Sequence, residues 1–87
     1  MKKYSFIAEV NKGTYVSLFV SENLETALLL WVPEMEKLFG IEVKTHLLSE
    51  IATSSSTPTP LKGIDNIWHL FFVYKKYKFY VHIILMA

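Results

Sequence analysis

Residues 67–86, IWHLFFVYKKYKFYVHIILM, alternate so regularly that they read as two antiparallel strands joined at Lys75 and Lys76. A two-residue turn at Lys75-Lys76, or a four-residue turn running from Tyr74 to Tyr77, gives one register. Trp68 then opposes Ile83, Leu70 opposes Val81, Phe72 opposes Phe79 and Tyr74 opposes Tyr77. Side chains alternate along a strand, so these eight share one face. That face carries no charge and is assigned to the core. Pairs of this type contribute roughly 0.2–1 kcal/mol each. The other face bears Ile67, His69, Phe71, Val73, Lys78, Tyr80, His82, Ile84 and Met86. It is too apolar for a solvated sheet face, so something is expected to cover it.

The rest of the chain supplies a core for this hairpin. Residues 3–10 alternate, with Tyr4, Phe6, Ala8 and Val10 on one side. Residues 14–20 alternate too, with Val16, Leu18 and Val20 against Tyr15, Ser17 and Phe19. A three-residue loop, Asn11-Lys12-Gly13 with Gly13 left-handed, would set Phe6 opposite Leu18 and Ala8 opposite Val16. A two-residue Lys12-Gly13 turn would mix the faces, so the longer loop is expected. Asn23 is a good N-cap, and from Leu24 the period changes to 3.6. Leu24, Ala27, Leu28, Trp31, Met35 and Leu38 form a stripe that ends at Gly40, with Leu29 on the far side. Pro33 lies opposite the stripe, where it either bends the helix or opens a second one.

Ile41, Glu42 and Val43 read as an extended link or an edge strand, followed by a short helix over residues 46–52 capped by Thr45. Residues 53–62, which include TSSSTPTP, are expected to be a flexible loop within one domain spanning residues 1–87. The fold class is therefore α+β: a four-stranded antiparallel sheet (strand-strand-helix-strand-strand) with one long helix packed on one face. Eighty-seven residues suffice for one such core.

Composition narrows function by exclusion. The net charge is +1 and all nine basic residues are Lys, which argues against nucleic acid as a partner. There is no Cys, so disulfides and thiolate metal sites are ruled out and a cytoplasmic location is expected. No apolar run reaches membrane-spanning length. Ser54 to Thr57 offer hydroxyls without a partner base, and Gly13, Gly40 and Gly63 are isolated. No catalytic residue and no cofactor is assigned; the chain reads as a binding module and not an enzyme.

The opening KKYSFIAEVNKGTYVSLFVSENLETALLLW resembles the start of the HicB-like antitoxin domain. The likeness rests on Phe6, Ala8, Gly13, Tyr15, Val16, Ser17, Leu24, Glu25, Ala27 and Leu28, about a third of the chain. The Pro-rich segment of that family and its C-terminal DNA-binding element are missing, so the resemblance implies no operator binding. The chain is also similar to short bacterial proteins with this opening and a late Ile-Asp-Asn-Ile-Trp strand start.

Three surfaces compete for a function. The first is the uncovered sheet face, with Phe19, Phe71, Val73, Tyr80 and Ile84, and Leu29 as a further exposed candidate. A homodimer through this face would bury the same apolar patch twice. The competing expectation is that the helix after Thr45 folds over it. The second is the hairpin tip, where Tyr74, Lys75, Lys76, Tyr77 and Lys78 interleave rings and charges in the manner of a single-stranded nucleic-acid platform. A solvated tip guarding a strand edge is the preferred reading. The third is His69 opposite His82, which could bind zinc if Glu9 or another ligand joined them. Two histidines among aromatics on an interface are the simpler reading, and no metal site is assigned.

Overall fold

The computed structural model describes residues 1–52 and 58–86. The elements are β1 (Lys2–Val10), β2 (Gly13–Ser21), α1 (Leu24–Phe39), α2 (Ile41–Ala52), β3 (Thr59–Pro60), β4 (Ile67–Tyr74) and β5 (Tyr77–Met86). The strands form one antiparallel sheet in the order β2-β1-β5-β4-β3. The architecture is α+β, but the expected four-stranded sheet with one long helix is corrected. The sheet has five strands, and two helices of 16 and 12 residues replace the single one.

The extra strand comes from the stretch expected to be loop. Thr59 stands opposite His69 and Pro60 opposite Trp68. A proline is tolerated there because β3 is the outermost strand and needs no donor on its free side. Residues 53–57 of that expected loop lie outside the described residues.

The extra helix turns arise because Gly40 serves two helices. Its N–H donates to Glu36 O and closes α1, while its own carbonyl accepts from Lys44 N and opens α2. Residues 41–43 are thus helical, not extended. Val43 and Leu47, one turn apart, are then fully buried. Thr45 does not cap; its hydroxyl donates to Ile41 O within the helix. α1 runs unbroken through Pro33, which is exposed, as the side opposite the stripe requires. Asn23 caps α1 by accepting from Thr26 N at 2.8 Å.

The second hairpin has the expected register, Trp68 with Ile83 through Tyr74 with Tyr77. The first does not. Its turn is Asn11-Lys12, with Asn11 left-handed at φ 54, so Val10 opposes Gly13 and Phe6 opposes Ser17. Asn tolerates this conformation because its short side chain can bond locally. Gly13 is instead the first residue of β2, where a Cβ would lie 2.9 Å from the Tyr15 hydroxyl. The shift sends Tyr15 and Phe19 to the helix side and Val16, Leu18 and Val20 to the other. The gain is aromatic packing. Phe19 meets Phe6 edge-on at 5.5 Å, and Tyr15 meets Phe39 edge-on at 5.4 Å.

Both helices lie on one side of the sheet. Trp31 of α1 packs on Phe6 of β1 and Phe72 of β4. On α2, His46 lies 4.9 Å from the Tyr74 ring and 6.3 Å from Phe72. The core between helices and sheet contains Phe6, Ala8, Trp31, Met35, Leu47, Phe79, Val81 and Ile83, all without accessible surface.

Candidate interaction surface

The opposite side of the sheet carries no helix among the described residues, and the strand registers fix its pattern. Val16, Ile7, His82, His69 and Thr59 form one row that crosses all five strands. One step along the strands, Leu18, Ser5, Ile84 and Ile67 form the next row. One step the other way lie Thr14, Glu9, Tyr80 and Phe71. Rows further out hold Val20, Lys3 and Met86 at one end, and Lys78 and Val73 at the other.

This surface is apolar and open. Val16, Leu18 and Val20 are 64%, 59% and 55% exposed, and Phe71, Val73, Tyr80 and Met86 each more than 40%. Phe71 and Tyr80 already pack against each other, centroids 4.9 Å apart. α2 does not cover them, because its apolar residues Val43 and Leu47 enter the core on the other side. Of the residues expected at an interface, Phe71, Val73, Tyr80 and Ile84 lie together here. Phe19 does not: it is packed against the core on the helix side. Leu29 is 54% exposed but sits on α1, across the sheet from this surface. Val16, Leu18 and Val20 were missed as surface residues. The signal that would have found them is Asn11, whose tolerance of positive φ places the turn one residue earlier than Gly13 does.

His69 and His82 stand opposite each other, ring centroids 5.1 Å apart. The Nδ1 atom of His69 is shielded and has no hydrogen-bond partner. Glu9 lies one row away, opposite Tyr80, and no three His, Cys, Asp or Glu side chains of one chain gather among the described residues.

The hairpin tip is divided between the two sides of the sheet. Tyr74 and Tyr77 turn toward the helices, where Tyr77 packs on Phe39 and Phe79. Lys78 and Tyr80 turn to the open side. Lys75 Nζ lies 3.1 Å from Glu42 Oε2, and the Tyr74 hydroxyl donates to the same oxygen at 3.0 Å. These bonds, that from Lys75 first, hold the Glu42 carboxyl below its ordinary range, and Glu42 in turn raises the Lys75 ammonium. Lys75 Nζ and Lys76 Nζ lie 5.4 and 5.7 Å from the ring centres of Tyr74 and Tyr77 respectively. Of the five residues expected at the tip, Lys78 alone lies on the opposite side of the sheet from Tyr74 and Tyr77.

No helix of the described residues is long and apolar enough to cross a membrane. Comparison with protein-family models, with curated proteins and with solved structures finds no match to this chain.

Proposed function

We propose that the protein is a small interaction module that self-associates, two copies stacking their open sheet faces. The observation that carries this reading is the joint exposure of Val16 and Leu18 on β2 and of Phe71, Val73 and Tyr80 on β4 and β5, linked through Ile7 and Ile84 on a face with no helix over it among the described residues. The largest apolar patch on a soluble protein is often functional. A face four strands wide and about seven residues long measures roughly 19 by 23 Å. That footprint, about 440 Å², is roughly half the 800 Å² per partner of a standard stable interface, which places the pairing among the small ones. A second copy of the chain is favoured as occupant because two of the three charges on the face, Lys3 and Glu9, are complementary to each other, with Lys78 in an outer row. Lys3 and Glu9 sit towards opposite ends of β1 on this face. A two-fold axis between the sheets and across the strands directs Glu9 of each copy toward Lys3 of the other. The resemblance of the opening residues to the HicB-like antitoxin domain fits a partner-binding role without adding a ligand.

Sedimentation velocity of the wild-type protein and of Leu18→Lys and Phe71→Lys tests the proposal. The wild type is expected at twice the chain mass. Both variants are expected as folded monomers with unchanged circular dichroism. A wild type that stays monomeric at high micromolar concentration, with Phe71→Lys altering neither mass nor solubility, overturns it.

A further inference from the structure

We propose that His69 and His82 form half of a transition-metal site, which a second copy of the chain completes with the same two residues. The inference rests on the face-to-face pairing above and adds a ligand to it. The pair sits in the row that crosses the whole sheet, and His82 belongs to β5, the middle strand of the five. A two-fold axis along that row brings the four imidazoles of two chains around one point.

The spacing suits a metal. Zinc takes four ligands in a tetrahedron at about 2.0–2.1 Å from each imidazole nitrogen. Two imidazoles on one tetrahedral ion, each centroid roughly 3.2 Å from it, have centroids about 5 Å apart. His69 and His82 stand at 5.1 Å with their planes inclined by 50°. The rings are thus spaced as two ligands of one ion would be, held there by the antiparallel ladder of β4 and β5. The Nδ1 atom of His69 is shielded and unpartnered, which leaves Nε2 as the ring nitrogen for an ion between two chains. Stacked sheets lie about 10 Å apart, so an ion midway is within reach of a histidine from either side.

A single chain offers only this pair, because no third His, Cys, Asp or Glu joins it among the described residues. The remaining two positions of a tetrahedral ion therefore fall to the other copy. Stoichiometry is then one ion per two chains. Metal and self-association are linked: an ion that binds the pair of chains better than the single chain tightens the pair by the same factor.

The test uses the full chain, stripped with a chelator and titrated with zinc chloride, read by calorimetry and by sedimentation equilibrium. The expected result is one zinc per two chains and an association constant raised at least about tenfold by zinc. His69→Ala and His82→Ala are each expected to abolish both effects while the chelated variants still pair. Cobalt substituted into the wild type is expected to show a tetrahedral spectrum, a readout that does not depend on the variants folding. A chelated protein that pairs but takes up no zinc overturns the metal site and leaves self-association standing. A protein that is monomeric with and without zinc overturns both. Zinc uptake at one ion per chain, or uptake unaffected by His69→Ala, overturns the shared site.

Discussion

The indole of Trp31 stacks on the ring of Phe6, centroids 5.5 Å apart and planes 20° from parallel, and neither residue has accessible surface. This contact joins α1 to β1, and Phe72 meets the same indole edge-on at 6.5 Å. Trp31→Ala leaves a cavity where helix and sheet meet, at an expected cost of about 3–5 kcal/mol. For a domain of this size that is much of the total stability. Urea denaturation followed by circular dichroism should show the midpoint collapse. A loss below about 1 kcal/mol would mean that α1 does not dock through this residue.

Leu28 and Leu29 are neighbours with opposite surroundings, 4% and 54% exposed. Leu28→Asp places an unpaired carboxylate in the core and is expected to unfold the domain. Leu29→Asp is expected to change stability by no more than about 0.5 kcal/mol, and to leave the mass in solution unchanged because α1 lies across the sheet from the open face. Thermal melts and light scattering of the two variants check both statements.

Glu42 ties α2 to the tip of the second hairpin through Lys75 and Tyr74. Its folded-state pKa is depressed, so the stability it contributes is present above its ordinary value, about 4.3, and is lost as pH falls through the folded value. The Lys75 pKa is raised, so its share is present below its ordinary value, about 10.4, and is lost as pH rises through the folded value. Glu42→Gln should therefore lower the urea midpoint slightly at neutral pH, and the gap from wild type should close in acid. The effect is small because the pair is exposed. A gap that widens on acidification would contradict the assignment.

Legibility in the sequence followed the strength of the local signal. The second hairpin could be read to the residue because each alternating run has one apolar face without charge, and only one register matches them. In the first hairpin both faces of β2 are apolar, so hydrophobicity alone could not choose between Leu18 and Phe19 for the core. Asn11 decided it, and glycine drew attention away from the asparagine two positions earlier. α2 was misread at its start because Ile41 and Val43 have strand propensity, while the i, i+4 spacing of Val43 and Leu47 pointed to a helix. β3 was invisible, since two residues, one of them proline, carry no periodicity and depend on β4 for their pairing. The open face was legible as apolar along β4 and β5. Its breadth was not, because it depends on β1 lying beside β5, a long-range pairing that no local pattern encodes.

That pairing also governs the order in which the sheet can be assembled. β1 and β5 are the first and last strands, yet they lie side by side within the sheet, Lys3 opposite Met86 and Val10 opposite Phe79. Each hairpin can close early from nearby residues, but joining them must wait until a loop of most of the chain has been closed. During synthesis the edges of β1 and β4 both stand unpaired until β5 emerges. The nascent chain is therefore most prone to pair with the wrong neighbour just before β5 emerges. Removal of β5 would split the sheet down its centre, where loss of β3 would only trim an edge.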